Sequence, residues 1–576
     1  MKSILVIVLF ALNMSIVTGQ ETDYGQRYIE DWKQFYPSKA LSRGIHNSIY
    51  QYEDRSVKNI SAWLLLNKQL LVITSDQSHP FTVKNKIDAR LLKIQALKEI
   101  DTWEQEKPHQ NSLALYTSLI NRAVSPVSQA NYLNADEKVN INCERLSAIQ
   151  ALAASAIESL SSSSADEINS SLARLKRSEN YFRTIGNVSN GFNLDGSCEN
   201  MANKGEATAN SIAQLIKFAQ EQLLPKAISS SPILGKTGYS RALSLYTDTD
   251  LTPSALSEMA LSEINLVRGL MLDVSKNYFQ EQSPNLPLPK DEKELIDFAL
   301  RAMEKDAPTS SADYLEFWTE LNAKAIKFIE EKEIATLPEF QTLRIMTAPE
   351  SAGASARIGW VASAPPFDPN PVTTLYLPSI PETLPEQERI DFWASFNKPF
   401  NRIIVIHELF PGHYMQIKIS RESPHPVRLL FPYSLYIEGW ATFTEKVALD
   451  AGWEAGNSLT MLAHLRKRME NANRAYQSVQ VHYNGWDKAQ VMKFSTESAL
   501  LAPQFASSLW GRLIRSPMQM TSYFLGGSEF RTLYFSEKDR LGDDFVLKNF
   551  MDLILKSGPI PIDEFSPILS QNFQKD

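Results

Sequence analysis

A histidine and a glutamate side by side, directly after an apolar run, mark where this sequence can do chemistry. The segment FNRIIVIHELFPGHYMQIKIS places His407 and Glu408 behind Ile403, Ile404, Val405 and Ile406, with His413 six residues after His407. A second segment, YIEGWATFTEKVALDAGW, carries Glu438 and Glu445. The chain has 8 histidines in 576 residues, and His407, His413, His425, His464 and His482 fall in one stretch. Two imidazoles and one carboxylate form the donor set of a three-ligand catalytic zinc site, with a fourth position open to water. The glutamate after the first histidine is the usual general base of such sites. The expected arrangement is one Zn2+ held by His407, His413 and Glu438, with Glu408 as base.

The spacing departs from the compact H-E-x-x-H form, which sets its histidines four apart on one helix face. Six residues turn an ideal helix by about 600°, leaving the two rings about 120° apart. Pro411 lacks the N–H a helix needs, and Gly412 tolerates unusual backbone angles. A bulge or break at Pro411-Gly412 must therefore swing His413 back beside His407; helix defects of this kind are common at functional sites. Glu438 and Glu445, seven apart, share one helix face. Their neighbours Tyr436, Ile437, Trp440 and Phe443 predict that this helix is buried, and buried carboxylates need a partner or a metal. Glu438 is read as the third ligand and Glu445 as the group that orients a ligating histidine; spacing alone also permits the reverse.

The elements that must hold these groups are helical. Apolar residues recur at three- and four-residue spacing over Val57–Leu71, Ala89–Trp103 and Ile212–Leu223. Ser164 followed by Glu167 predicts a capping box. Thr252-Pro253 predicts an N-cap with proline in the first turn, leading into ALSEMALSEINLVRGLML. The serines at 161–164 read as a linker between helices. From about Arg344 to Pro385 the chain is rich in Pro, Gly and Ser, and the pieces ARIGWVA and VTTLYLP predict a strand or hairpin. That piece is either an edge for an extended substrate or a connector.

Composition excludes several classes. At 43% hydrophobic and 22% charged residues the chain is ordinary globular protein, not collagen-like, disordered or coiled-coil. The net charge of −8 and the lack of a long basic run exclude a nucleic-acid partner. The first residues, MKSILVIVLFALNMSIVTG, read as a secretory leader over 1–19. Asn13 and Ser15 interrupt its apolar run, which is too short to span a bilayer. The mature chain is expected to be soluble, without a membrane span, and periplasmic or extracellular. Cys143 and Cys198 are the only cysteines, and form either one disulfide or two separate buried thiols. They are too few for a cysteine-rich zinc site.

The segments HELFPGHYMQ, EGWATFTEKVALDAGW, VHYNGWDKAQVMKF and SPMQMTSYFLGG, in this order, resemble the DUF885 family of bacterial proteins, themselves similar to gluzincin zinc metallopeptidases with the pattern HExxPGHxxQ … EGWAxxxE. The likeness runs from about Tyr239 to SGPIPIDEF near the C-terminus. It implies a mainly α, cleft-forming fold: an N-terminal helical region over 20–235, and a catalytic region over 236–576 with its zinc helix at about 403–420. It implies zinc on His407, His413 and Glu438, with Glu408 as base. His482, Arg512, Gln519 and Tyr523 match later polar positions of the family and are expected to line the cleft. His482 and Tyr523 are candidate donors to the developing oxyanion. Arg512 and Gln519 are candidate substrate contacts, and Arg512 or Arg515 could pair with a peptide carboxylate. His425 and His464 read as bystanders, and Trp440 and Trp486 as packing residues. Ser478 stands where the family commonly has Asp, and Gly511 where it commonly has Glu. The expected function is hydrolysis of short peptides by an exported zinc peptidase. The alternatives are an inactive metal- or peptide-binding protein and a zinc amidase acting on cell-wall material. Exo- or endo-action and oligomeric state stay open.

Overall fold

The computed structural model describes residues 24–75, 85–185, 201–229, 231–339, 342–501 and 503–573. The expected leader, His79 and Cys198 lie outside them. The fold is mainly α, and its helices begin where local chemistry says they should. Helix α1 (Ala135–Ser159) starts in a full capping box between Asn134 and Glu137. Ahead of α2 (Ala165–Thr184) only half of the expected box forms. Ser164 accepts from the Glu167 N–H at 3.3 Å, but the Glu167 carboxylate turns to the Ala114 N–H at 3.0 Å and the Ser163 hydroxyl at 2.9 Å. After α3 (Met201–Phe218), α4 (Pro253–Gln282) opens with Thr252 accepting from the Ala255 N–H at 3.2 Å and Pro253 in its first turn.

The cores divide elsewhere than at residue 235. Residues from Leu113 to Leu223 pack around a core of their own, built from α1, α2 and α3. Residues from Tyr28 to Trp103 join instead the large core that runs from Tyr239 to Leu569. Cys143 is buried and disulfide-bonded, the first of the two states open to it. Among the described residues no helix is long and apolar enough to cross a membrane.

The Pro- and Gly-rich segment forms a small sheet of β1 (Leu343–Thr347), β2 (Trp360–Ala362) and β3 (Thr373–Leu377). Central β3 runs parallel to β1, Leu343 opposite Thr373, and antiparallel to β2, Trp360 opposite Tyr376. The last two strands come from the predicted pieces; β1 is the unpredicted third.

Five further helices carry the site: α5 (Lys398–Glu408), α6 (His413–Ser420), α7 (Tyr436–Asp450), α8 (Ser458–His482) and α10 (Pro517–Leu541), with α9 (Pro503–Arg515) preceding α10. Helix α8 packs on α4, α5 and α10, which buries it along most of its length. Helices α7 and α10 cross at two glycines. A Cβ on Gly439 would meet the Gly526 carbonyl carbon at 2.5 Å, so only glycine allows this approach. Beside the crossing, Tyr436, Trp440, Phe443 and Phe530 form one aromatic cluster. Each of these buried rings stabilises the crossing by roughly 1.5–3 kcal/mol. The crossing thereby fixes Glu438, the neighbour of Gly439.

Candidate metal centre and active site

Helix α5 starts at an Asn397 cap, whose side chain accepts from the Phe400 N–H at 3.0 Å, and it ends at Glu408. The chain then breaks. The Leu409 and Phe410 N–H groups return to the Val405 carbonyl, the Phe410–Pro411 bond is cis, and α6 begins at His413 itself. The zinc helix expected over 403–420 is thus two helices. Trp440, expected only to pack, also donates from its indole to the Pro411 carbonyl at 2.9 Å and ties the break to α7. Gly412 is required by close approach, since a Cβ there would lie 1.9 Å from the His407 carbonyl oxygen. The break folds His413 back on His407: their ring centroids lie 4.8 Å apart with planes at 81°.

Glu438, in the first turn of α7, closes the triangle. Its Oε2 lies 3.3 Å from His413 Nε2 and 3.7 Å from His407 Nε2. One donor atom from each residue lies within 4.8 Å of the others. A tetrahedral ion with bonds near 2.0–2.2 Å separates its ligands by about 3.4 Å, so the spacing fits such an ion. Glu438 Oε2 is buried without a hydrogen-bond donor, as is fitting for an atom reserved for a cation. Burial pushes the Glu438 carboxyl pKa up, but His407 and His413 more than reverse this and hold it well below the usual value. For His413 burial pushes the ring pKa down, and Glu438 overrides it and raises it.

Glu445, seven residues on, does not face the triangle. It is fully buried and accepts from His407 Nδ1 at 2.8 Å. That bond puts the His407 proton on Nδ1 and leaves Nε2 with a lone pair toward Glu438. Of the two assignments open to the glutamates, the geometry makes Glu438 the ligand candidate and Glu445 the orienting group. Lys467 Nζ at 2.8 Å and His464 Nδ1 at 3.3 Å also contact Glu445. Burial raises the Glu445 pKa, but Lys467, His407 and His464 lower it far more. His464, read as a bystander, therefore belongs to the site's support. Its Nε2 has no hydrogen-bond partner, and the residue lines a cavity of about 20 Å³, room for about one water.

The remaining predicted residues part company. Glu408, the last residue of α5, is half-buried, its carboxylate makes no hydrogen bond to a described residue, and it lies close enough to His413 to act on that ring's charge. Tyr523 on α10 stands beside Glu438; burial first, then that carboxylate, push its phenol up to about 12. Arg512 on α9 hydrogen-bonds Tyr523 and feels the charge of Glu438. Arg474 on α8, not singled out from sequence, has its guanidinium carbon 5.0 Å from the Tyr523 ring centroid. His482 is a correction. Its Nδ1 accepts from the Leu234 N–H at 3.2 Å, its Nε2 donates to the Leu513 carbonyl at 3.0 Å, and its ring stacks on Tyr239. Both nitrogens serve backbone groups, so neither is left for a substrate. Gln519 and Arg515 are exposed. Ser478 is buried, accepts from the Tyr239 hydroxyl at 3.0 Å and donates to the Pro517 carbonyl at 2.9 Å. It braces helices, away from the triangle. His425, the other presumed bystander, bonds Asp88 at 3.0 Å and joins the N-terminal helices to the site half.

Comparison with known proteins agrees with this architecture. A "putative lipoprotein of unknown function" from Shewanella oneidensis superposes with a TM-score of 0.81 at 20% identity, over 96% of this chain and 100% of that one. A "putative lipoprotein" from Colwellia psychrerythraea superposes with a TM-score of 0.68 at 18% identity, over 95% of this chain and 98% of that one. No curated protein matches. The family model described as "Bacterial protein of unknown function (DUF885)" matches residues 37–566. With nearly the whole sequence matched, the chain belongs to the DUF885 family.

Proposed function

We propose that this protein is an exported zinc-dependent metallopeptidase of gluzincin type that hydrolyses short peptides. The observation that carries the reading is the convergence of His407, His413 and Glu438, with Glu438 Oε2 at 3.7 and 3.3 Å from the two imidazoles. These three residues would hold the ion. When bound, zinc supplies Lewis acidity and makes water a competent nucleophile near neutral pH. Glu408 takes a proton as water adds to the peptide carbonyl carbon, then passes it to the leaving nitrogen as the C–N bond breaks. The products are a carboxylic acid and an amine. The Tyr523 phenol, protonated at neutral pH, can donate to the carbonyl oxygen as charge develops there. Glu445 keeps the His407 tautomer fixed through the cycle.

Export is supported by the leader-like first 19 residues and by the disulfide at Cys143, which suits an oxidising compartment. The description of both structural relatives as "putative lipoprotein" agrees with it.

The test compares the wild type with Glu408→Gln. Metal analysis of protein purified without chelator should give about one zinc per chain in both, consistent with three protein ligands and no role for Glu408 as a ligand. A short-peptide library should be hydrolysed by the wild type only. Undiminished hydrolysis by Glu408→Gln would remove Glu408 as the base, and absence of metal from both would remove the site.

A further inference from the structure

Positive charge gathers on one side of Tyr523 and is incompletely neutralised. Arg474 lies with its guanidinium carbon 5.0 Å from the Tyr523 ring centroid and donates to Asn471 Oδ1 at 3.0 Å. Its carboxylate partner is Glu470, at 3.4 Å, and Glu470 also serves Arg466, at 3.6 Å. Arg512 approaches the same phenol from α9 and forms no ion pair among the described residues. Two guanidiniums, Arg474 and Arg512, thus flank the phenol that stands beside the candidate metal triangle, and of the two only Arg474 has an ion-pair partner among the described residues, one it shares with Arg466. Burial, and then the neighbouring charge of Arg474, lower the Arg512 pKa, so the protein holds these cations together at a cost. A guanidinium fork is built to take a carboxylate through two parallel hydrogen bonds. Such a ligand would supply the missing negative charge.

We infer that the substrate's free C-terminal carboxylate docks against Arg512 and Arg474, so that the protein shortens peptides from the C-terminal end as a carboxypeptidase. The inference rests on the peptidase reading and names its substrate class. Arg512 and Arg474 act as specificity residues. They fix which bond lies opposite Glu408 and take no part in moving protons.

The experiment uses the full zinc-loaded protein and matched peptides ending in a free acid or an amide, each with and without an internal Asp or Glu. The wild type should favour free acids by tenfold or more in kcat/KM, about one charge-assisted hydrogen bond, whatever the internal residues. Arg512→Gln should lose that preference through a raised KM, with kcat, zinc content and melting temperature near those of the wild type. Arg512→Lys should restore part of it, and Arg474→Gln should weaken it. Equal hydrolysis of acids and amides would overturn the inference, and so would dependence on the internal carboxylate alone. Should the wild type hydrolyse no peptide, the peptidase reading fails, and calorimetry with the same peptides decides the docking site separately. Acid-selective binding that Arg512→Gln abolishes would sustain it. Equal binding, or none, would overturn it.

Discussion

His407 Nδ1 and Glu445 Oε1 lie 2.8 Å apart in a fully buried contact between two helices. The contact fixes one proton on Nδ1 and so decides which His407 nitrogen is free to face Glu438. Glu445 is in turn held by Lys467 and His464 from α8. Removing its charge with Glu445→Gln should lower zinc affinity by roughly 10–100-fold, the usual effect of losing a partner behind a ligating histidine. It should also destabilise the fold, because Lys467 is left buried and unpaired. Competition with a chromophoric chelator reads the first effect and thermal unfolding the second. An unchanged zinc affinity would mean that Glu445 only stabilises the helix pair.

The sharpest test of the helix break is Gly412→Ala. The added methyl group would need space already filled by the His407 carbonyl oxygen, 1.9 Å away. The loop must open, and His413 then moves away from His407 and Glu438. Zinc content should fall to background while the far-ultraviolet circular dichroism of this mainly helical protein stays within a few per cent. Gly452→Ala serves as control, because a Cβ there meets no atom within 4 Å, although its φ of +100° makes the substitution mildly strained. Full zinc occupancy in Gly412→Ala would show that the break does not set the ligand geometry.

Which parts of this site can be read from sequence follows from how local they are. His407, Glu408, His413 and the Pro411-Gly412 break lie within seven residues, where residue type and helix geometry already constrain the outcome. Glu438 and Glu445 are legible because a carboxylate amid Tyr436, Trp440 and Phe443 must be buried. His464 and Lys467 are not, because MLAHLRKRME reads as a charged surface helix. Its burial comes from α4, α5 and α10 closing around α8, which no local pattern encodes. His482 fails for the same reason. Its backbone partners, Leu234 and Leu513, are 248 and 31 residues away. The helical character of residues 20–235 is legible, but its division between two cores is not, since every helix there has an apolar stripe and none names its partner.

Glu263 on α4 carries a structural prediction. One of its oxygens accepts from Arg468 at 2.7 Å and from Arg531 at 3.3 Å, joining α4, α8 and α10. Burial pushes this carboxyl up, but the two arginines prevail and hold it below its ordinary value. Its contribution to stability is therefore present above the unfolded pKa and lost as pH falls. Glu263→Gln leaves two partly buried guanidiniums without a counter-ion and should cost about 3–5 kcal/mol at neutral pH. Denaturant unfolding should show the loss, and it should shrink only as pH falls below the ordinary glutamate value of about 4.3. A change under 1 kcal/mol would mean that solvent already screens the cluster.

Glu529 works in the opposite direction. Burial, and then the charge of Asp563, push its carboxyl up to about 7, against the weaker pull of Arg90. Arg90 is already engaged with Asp248, Asp563 and Glu564 at 2.8–2.9 Å, which leaves little of its charge for Glu529. Between the unfolded pKa of about 4.3 and the folded value near 7, the native chain binds the extra proton. Its contribution is therefore complete below about 4.3 and is lost as pH rises through 7. The limiting slope for one proton is about 1.4 kcal/mol per pH unit, and solvent at this partly exposed side chain narrows the pH range over which it applies. Glu529→Gln, permanently neutral, should match the wild type near pH 4.5 and be the more stable of the two above pH 7. Paired unfolding curves across that range isolate the effect, because every other titrating group is common to both proteins. Parallel curves would mean that Glu529 is ionised throughout, with Arg90 as its effective partner.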